Sequence, residues 1–393
     1  MPKVNPEILV WARETAGLSL EDAANKLGLS GPARLRVIES GEQEPSRRQL
    51  ANMSERYRRP LLTFYMPTLP KEADKGQDFR TLPEGQPPSS EALLGALLRD
   101  VHTRQQLVRS ALEEEEEDLR LAFVGSARIA DGVDKLVKRI EEHLRFTKAN
   151  FRAPSGLKNK SNVGEGFAAL RAAVEKTGVF VLLMGNLGTY HTDLDVKYFR
   201  GFALADQIAP FIVINENDSK AAWSFTLLHE LAHIWLGQTG ISGYESDVEI
   251  EKFCDAVAAQ FLLEPNELDE ILTKKLSDFD ALKEKISEFA TSRNLSRKMV
   301  AYNLLRFNHI SSVKYRLLSD SFDADRVALT QERRGGGGGP DYYVVRRQRM
   351  GPGLVGTVKR MIADGALTTV KAAKVLGVKP TAVTRLIEGA RVA

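Results

Sequence analysis

Disulfides, membrane spans and a strong net charge are all missing from this 393-residue sequence. Its single cysteine, Cys254, excludes an intrachain disulfide framework and a cysteine-rich zinc module. The longest purely apolar run, Val179 to Met184, has about one third of the length that a transmembrane helix needs. The N-terminus also lacks the apolar core of a secretory signal peptide. These absences predict a cytoplasmic protein with no membrane partner.

Positive and negative charges nearly cancel over the whole chain, but they are unevenly distributed along it. Lys and Arg total 55 while Asp and Glu total 52, and the resulting net charge of +3 excludes a nucleic-acid coat that is basic throughout. Residues 344–393 carry ten Lys or Arg residues against Asp364 and Glu388, a local surplus of eight positive charges. Hydrophobic residues make up 43% of the chain and charged residues 27%, which excludes disorder as its main state.

Turn residues and changes of pattern divide the chain into five parts. At roughly 150 residues per domain, the length predicts two or three folded domains. Ser19 and Gly28 lie where a short helix would begin and end, and Ser30 is expected to cap the next one, so this spacing predicts a helix-turn-helix. Five consecutive glycines, Gly335–Gly339, predict a flexible tether. The predicted parts are a helix-turn-helix over 1–65, a connector and helical linker over 66–149, a mixed α+β domain over 150–320, the glycine-rich tether over 321–340, and a basic unit with a second helix, glycine turn, helix layout over 341–393.

The motif with the most chemical content is His229-Glu230-Leu231-Ala232-His233, in a predicted helix over 219–236. Residues four apart lie on one helix face, so both imidazoles can reach a single cation. Neutral imidazole suits Zn²⁺, and Glu230 lies beside the pair, where it can take a proton from metal-bound water. The alternative interpretation is a pair of histidines packed in a core. The spacing favours a zinc site with Glu230 as its general base.

A catalytic zinc ion needs a third protein ligand and one open coordination position. Glu251 opens the helical run 251–263, within the helix predicted over 247–263, and is the first choice for that ligand, with Glu249 as the alternative. Asp255 lies four residues after Glu251 on the same helix face, where it can accept the second N–H of a ligand histidine and fix its tautomer. The predicted zinc ligands are therefore His229, His233 and Glu251.

Two further features belong to the predicted site. Phe211–Asn215, just before the zinc helix, is interpreted as an edge strand that pairs with an extended substrate peptide. The group that would stabilise the oxyanion is not assigned, because each candidate side chain is more often structural. The candidates are Tyr244, Tyr302, His191 and His309.

These segments resemble the ImmA/IrrE family of metallo-endopeptidases. The resemblance rests on residues 201–215, on Phe225–His233 and on Ile250–Pro265, which is similar to the family's second helix with its Leu-Leu-x-Pro end. It covers residues 150–320 and implies a zincin-like, zinc-dependent protease of narrow specificity. The family's targets are often repressors of phage, mobile-element or stress-response genes. The chain departs from the usual residues at Cys254, Asp255, Val257 and Glu264.

The N-terminal unit resembles the XRE/Cro-like helix-turn-helix, over residues 18–29 and then 38–41. Arg34 and Arg36 would reach phosphates or guanine from the helix that enters the major groove. Gly31-Pro32 departs from the usual pattern in that helix. A module that binds protein or dimerises is therefore an equal alternative. A homodimer is possible, since two copies of such a unit commonly span paired half-sites.

The basic C-terminal unit predicts a second contact with double-stranded DNA. Its density of Lys and Arg suggests phosphate contacts that weaken with salt. If residues 381–388 form a recognition helix, Thr381, Thr384 and Arg385 face the groove. A basic docking arm is the alternative.

The sequence as a whole predicts a multidomain, mainly α protein with an α+β zincin-like metalloprotease domain and helix-turn-helix-like units at both ends. The predicted function is a Zn²⁺-dependent endopeptidase that acts as a regulator by cleaving a repressor or antitoxin-like partner. The alternative is a DNA-binding transcriptional regulator or antitoxin whose zinc site is structural or sensory. A third hypothesis, cleavage of the chain itself near Gly335–Gly339, rests only on the exposed tether.

Overall fold

The computed structural model of the chain describes residues 3–70, 88–114, 120–146, 148–152, 163–188, 192–241, 248–272, 278–333 and 341–388. The fold is mainly helical, as the sequence predicts. It separates into two compact units, one of residues 1–103 with 186–198 and one of residues 104–185 with 199–393. The five-part division stays a prediction, and the glycines of its tether, Gly335–Gly339, lie outside the described residues.

Four short helices around a shared apolar core form the N-terminal part of the first unit. Ser19 Oγ accepts a hydrogen bond from the Asp22 amide at 3.0 Å, and Gly28 adopts the left-handed conformation at φ +68°. Both ends of the second helix are therefore as predicted. The elements are α1 (Pro6–Glu14), α2 (Leu20–Leu27), α3 (Pro32–Glu39), α4 (Arg47–Tyr57) and a 3₁₀ helix (Leu61–Tyr65).

The start of α3 differs from the prediction. Gly31, and not Ser30, occupies the N-cap position, and no side chain caps this helix. Pro32 is its first residue. Proline has no N–H to satisfy in the first turn and its fixed φ suits a helix start, so the Gly-Pro pair moves the boundary one residue along.

The chain from residue 88 to residue 333 is also largely helical. None of the helices in the described ranges combines the length and the apolar character needed to cross a bilayer. The helices are α5 (Pro88–Glu114), α6 (Val133–Leu144), α7 (Lys148–Phe151), α8 (Val163–Glu175), α9 (Lys220–Leu236), α10 (Val248–Leu262), α11 (Asp269–Leu272), α12 (Phe279–Ser292), α13 (Arg297–Arg306) and α14 (Ser312–Arg333). Short 3₁₀ helices cover Ile129–Asp131 and Pro265–Leu268.

The helix before the predicted tether is longer than expected. α14 continues to Arg333, so residues 321–333 of the predicted 321–340 tether are helical. Residues 319–334 contain neither glycine nor proline, so no residue in this stretch breaks the helix before the glycine run.

The second unit contains a four-stranded mixed sheet with the order β1-β3-β2-β4. β1 runs parallel to β3, while β2 runs antiparallel to both β3 and β4. Two of these strands lie within the predicted stretches 179–184 and 211–214, and β2 and β4 were not predicted. The strands are β1 (Phe180–Leu183), β2 (Gly201–Leu204), β3 (Phe211–Ile214) and β4 (Gly240–Ile241).

The prediction of an edge strand over Phe211–Asn215 is wrong. β3 lies between β1 and β2, and Phe211 pairs with Phe180 on one side and Leu204 on the other. Both sides of its backbone belong to the sheet's ladders, so β3 cannot add a substrate peptide. Its four consecutive apolar residues are all buried, which is typical of an interior strand covered on both faces.

The C-terminal part of the second unit confirms the predicted helix, glycine turn, helix layout. Thr368 Oγ1 accepts a hydrogen bond from the Lys371 amide at 3.3 Å, and Gly377 at φ +60° ends the same helix. A 3₁₀ helix, Pro380–Ala382, then leads into the last helix. The helices are α15 (Tyr342–Met350), α16 (Pro352–Ala363), α17 (Thr369–Leu376) and α18 (Val383–Glu388).

Candidate metal centre

The residues of the HExxH motif lie on α9, which is buried along most of its length. Gly237 ends the helix in the left-handed conformation, as the sequence predicts. α9 packs against α8, α10 and β2, and these neighbours cover the motif. His229, Glu230 and His233 are 5%, 0% and 6% exposed. Buried polar groups of this kind need partners within the fold.

α10 brings a third donor to the two histidines. The Nε2 atoms of His229 and His233 lie 3.1 Å apart. Glu251 Oε2 lies 3.3 Å from His229 Nε2, and Glu251 Oε1 lies 3.3 Å from His233 Nε2. Within the part of the chain that the structure describes, these three residues form the one cluster of His, Cys, Asp or Glu side chains with donor atoms arranged to hold a metal ion.

The spacing of the three donors fits a tetrahedral zinc ion. Ligand atoms bound at zinc's usual distances in a tetrahedron are about 3.3 Å from one another. The two Nε2 atoms are 3.1 Å apart, and each of them lies 3.3 Å from a different oxygen of the Glu251 carboxylate. Two imidazoles and a carboxylate are donors that zinc accepts, and three protein ligands leave a fourth position for water or substrate. The residues present therefore fit the metal that the motif predicts.

Asp255 contacts the first histidine of the motif. Asp255 Oδ1 lies 3.0 Å from the Nδ1 atom of His229. Burial alone lowers the pKa of His229, but hydrogen bonds to Asp255 and Glu251, with the charges of Glu230 and Asp255, raise this pKa to about 10. Burial alone raises the pKa of Glu251, whereas the two histidines lower it overall. A carboxylate that accepts from Nδ1 fixes the tautomer whose Nε2 can bind a metal.

Glu230 lies where β2 approaches α9 closely. A Cβ atom on Gly201, the first residue of β2, would lie 2.8 Å from Glu230 Oε1 and 2.6 Å from Thr226 Cγ2. Only a residue without a side chain allows this approach. Gly201 therefore limits where the Glu230 carboxylate can lie. Sequence reasoning missed this role because β2 was not predicted, and the one available signal was a glycine opening a short apolar segment.

Cys254 lies on α10 next to Asp255 but is not a member of the cluster. Its side chain is fully buried in the core of the second unit. Burial, together with the charges of nearby carboxylates, raises the pKa of the Cys254 thiol well above its usual value. A protonated, buried thiol is a poor metal ligand and a poor nucleophile.

The other candidates that the structure describes, Glu249, Tyr302 and His309, do not belong to the cluster. Glu249, the alternative ligand, is exposed on α10. Tyr302 is partly buried on α13, with its ring 6.2 Å from that of Tyr315; burial and the charge of Asp255 raise its pKa. His309 is exposed. The remaining oxyanion candidates, Tyr244 and His191, lie outside the described residues.

The predicted DNA-contacting residues are all accessible. On α3, Arg36 is exposed and Arg34 is partly exposed. Near the C-terminus, Thr381 in the 3₁₀ helix and both Thr384 and Arg385 on α18 are exposed. Accessibility is a requirement for base or phosphate contacts, and the contacts themselves stay a prediction.

Two stretches of the chain match known protein families. Residues 186–305 match a peptidase family described as the IrrE N-terminal-like domain, and this stretch includes the whole metal cluster. Residues 9–64 match a family described as helix-turn-helix. No curated protein and no solved structure matched the chain. Residues 9–64 are therefore similar to a helix-turn-helix family and residues 186–305 to the IrrE N-terminal-like peptidase family, in agreement with the two resemblances noted in the sequence.

Proposed function

We propose that this protein is a zinc-dependent endopeptidase that regulates genes by cleaving a repressor or antitoxin-like protein. The observation that carries the proposal is the convergence of His229, His233 and Glu251, whose donor atoms, one from each residue, all lie within 4.8 Å of one another. A buried Glu230 directly follows the first ligand, and a purely structural metal site would not need that carboxylate. The family match of residues 186–305 supports the same reaction class.

Three side chains would hold the metal and a fourth would move a proton. Zinc, when bound, polarises the scissile carbonyl and lowers the pKa of a bound water towards neutrality. Glu230 takes a proton from the attacking water as its oxygen adds to the carbonyl carbon. It then gives that proton to the amide nitrogen as the C–N bond breaks, which leaves one new carboxyl terminus and one new amino terminus. Asp255 orients His229, and Gly201 restricts the position of the Glu230 carboxylate.

The helix-turn-helix domain supplies the regulatory part of the proposal. Residues 9–64 match a helix-turn-helix family, and Arg34 and Arg36 are accessible on α3. We expect double-stranded DNA to be a second partner through this helix. A peptidase that binds DNA meets DNA-bound regulators at a high local concentration, which favours a repressor-like substrate.

Glu230→Gln tests the chemistry of the site. The substitution keeps the side chain's size but removes its basic carboxylate, so cleavage should fall by about 100-fold or more while the zinc stays bound. Glu249→Gln is the matched control, because it makes the same change at an exposed position of α10 and should leave the rate unchanged. If Glu230→Gln cleaves at the wild-type rate, the general-base role is wrong.

Elemental analysis tests the ligand set directly. We expect about one zinc ion per chain in the wild type, and loss of the metal in both His233→Ala and Glu251→Ala. Zinc retained in Glu251→Ala but lost in Glu249→Ala would move the third ligand to the alternative glutamate. A wild-type protein that binds no zinc would overturn the proposal.

The substrate is identified by its newly formed amino termini. Zinc-loaded wild type and Glu230→Gln are each incubated with an extract of the source cells, and new amino termini are compared by mass spectrometry. Termini that appear only with the wild type, and mainly in helix-turn-helix regulators, are the expected result. Widespread cleavage of unrelated proteins would reject the narrow specificity, and an absence of new termini would reject the peptidase.

A sensory zinc site is a second candidate function, favoured by the helix-turn-helix layouts of α2–α3 and α17–α18. In that case chelation should abolish DNA binding in a protein that cleaves nothing. DNA affinity that is unchanged after chelation contradicts the sensory function and leaves the peptidase as the explanation for the metal site.

A further inference from the structure

The C-terminal helices are anchored to the peptidase part of the second unit by a buried ion pair. Arg171 and Glu175, one turn apart on α8, are paired at 3.2 Å with side chains only 5% and 3% exposed. The Arg171 guanidinium donates to the Gln348 carbonyl at 2.5 Å, near the end of α15. Glu175 Oε2 accepts from the Gly353 amide at 2.9 Å, at the start of α16. The pair thus binds both helices that open the C-terminal region.

The same contact requires a close approach of backbone and side chain. Gly351, between α15 and α16, has φ +82°, and a side chain there would overlap the Glu175 carboxylate. Arg171 also donates to the Val181 carbonyl of β1. One guanidinium therefore joins the sheet to the C-terminal helices, which argues against a loosely attached basic arm.

Some of the positive charge in this region is used within the fold. The Arg346 guanidinium donates to the Leu376 carbonyl at 2.9 Å and to the Gly377 carbonyl at 2.6 Å, which satisfies the end of α17. Arg349 pairs with Glu216 at 2.6 Å. Arg346 is buried within the C-terminal region, and the partly exposed Arg349 ties this region to the segment that follows β3.

Four of the remaining positive charges are exposed on α17, on α18 and in the turn between them, and we call this set with its two threonines the basic face. Lys371 and Lys374 lie three residues apart on α17, and both are exposed. Residues 365–387 contain four basic residues and no acidic one. The basic face consists of Lys371, Lys374, Lys379, Thr381, Thr384 and Arg385, all exposed.

Arg385 is partly ordered within the basic face. Its guanidinium lies over the Tyr343 ring, 4.2 Å from the ring centre, which restricts the side chain without burying it. Asp341 Oδ2 is 3.7 Å from the Arg385 guanidinium, and the two side chains are 51% and 68% exposed. This long, exposed contact is weak, so a phosphate can compete for the same guanidinium.

We infer that the basic face binds the phosphate backbone of double-stranded DNA while the C-terminal helices stay anchored to the peptidase domain. Lysines along one helix and an arginine on the next suit the repeated charges of a duplex, and a helix-turn-helix layout presents its second helix to a groove. The inference goes beyond the proposed function, because this contact requires neither zinc nor cleavage. A duplex held here would have a fixed position on the peptidase domain.

The test compares two full-length variants that differ only in which three exposed basic residues of the second unit are replaced by alanine. Both also carry Arg34→Ala and Arg36→Ala, so that the N-terminal domain contributes equally to DNA binding in the two proteins. The test variant alters the basic face: Lys371→Ala, Lys374→Ala and Arg385→Ala. The control alters exposed basic residues elsewhere in the same unit: Lys138→Ala, Lys176→Ala and Arg316→Ala.

Fluorescence anisotropy with a 30-base-pair duplex of random sequence, between 50 and 200 mM salt, provides the readout. Each phosphate contact adds about 0.9 to the slope of log affinity against log salt. Three lost contacts should therefore lower the slope by about 2.7, so that the same salt increase costs the control about 40-fold more affinity than the test variant. Circular dichroism and zinc content should be the same for both, because all six positions are exposed.

Equal slopes and affinities for the two variants would overturn the inference. Tighter binding to a single-stranded RNA of the same length than to the duplex would also overturn it, by assigning the basic face to RNA. Neither result bears on cleavage, which is measured separately with Glu230→Gln. The failure of one proposal is therefore distinct from the failure of the other.

Discussion

Gly201→Ala should slow cleavage strongly while leaving the metal bound. The new Cβ atom would lie 2.6 Å from Thr226 Cγ2, 2.8 Å from Glu230 Oε1 and 3.1 Å from Glu230 Cγ. Ordinary contacts between such atoms are about 3.5 Å, so β2 or the Glu230 side chain must move by roughly 0.5–1 Å. A misplacement of that size at a catalytic group costs up to about 100-fold in rate, and the overpacking itself costs about 1–3 kcal/mol of stability.

The assay is kcat and KM for a protein substrate found by the amino-terminal comparison, with zinc content and thermal unfolding measured on the same samples. We expect kcat to fall by about 10- to 100-fold with KM and zinc content close to those of the wild type, because the three atoms nearest to the new Cβ belong to Thr226 and Glu230 and not to a proposed ligand. A double variant, Gly201→Ala with Glu230→Gln, should be no slower than Glu230→Gln alone, since the glycine acts through that carboxylate.

Gly164→Ala is the matched control for this experiment. A Cβ atom at Gly164, the second residue of α8, would have no neighbour within 4 Å beyond its own helical turn, so the rate of Gly164→Ala should equal that of the wild type. If Gly201→Ala is folded, holds zinc and has wild-type kcat, then the close approach of β2 does not position Glu230. An additive loss in the double variant would contradict the same reasoning.

Three further predictions test separate parts of the fold. Asp255→Ala removes the acceptor at the first ligand histidine, so zinc affinity should fall about 10- to 100-fold in a chelator competition; an unchanged affinity would contradict the tautomer argument. Glu175→Ala leaves the buried Arg171 without its carboxylate and should lower the free energy of unfolding, measured in urea, by about 3–5 kcal/mol. Asp323→Ala, which removes a partly exposed ion pair, should lower it by less than about 1 kcal/mol. Burial alone raises the pKa of Asp325, but two neighbouring cations lower it overall, so its contribution to stability is present above the usual pKa of 3.8. The stability difference between wild type and Asp325→Asn should therefore hold above about pH 5 and shrink as the pH falls below about 4; a difference that grows in acid would contradict the sign.

The relative positions of residues that lie on the same helix could be predicted from the sequence. The pairs His229 and His233, and Glu251 and Asp255, are each four apart, so helical geometry puts each pair on one face before any tertiary contact is known. The choice of Glu251 over Glu249 also follows from its place in α10, and the structure brings Glu251 to the histidines. The sequence also predicts that these two helices lie close together, because a zinc ion held by two histidines requires a third donor from elsewhere in the chain.

Features that depend on contacts distant along the sequence could not be placed in the same way. The order of the sheet decides that β3 is interior, and no local pattern gives the order of strands. β2 is only four residues long and opens with Gly201, so its propensity for a strand is weak. The role of Gly201 beside Glu230 becomes visible only once β2 lies against α9. A residue that commonly caps helices can also be displaced by its neighbours. Ser30 is such a residue, but the Gly31-Pro32 pair starts α3 one residue later.

The single cysteine allows the separation of α10 from its neighbours to be measured by thiol labelling. Cys254 has no exposed surface, and in the sequence it lies between Glu251 and Asp255, the two α10 carboxylates that contact His229. A thiol reagent can reach it only when this helix separates from its neighbours, so the labelling rate reports the opening of α10 in the unmodified chain. Any ligand that favours the closed helix must slow that labelling in proportion to its binding. The labelling rate of Cys254 therefore reports how much of the protein has a ligand bound at the candidate metal centre, and no probe has to be introduced by mutation.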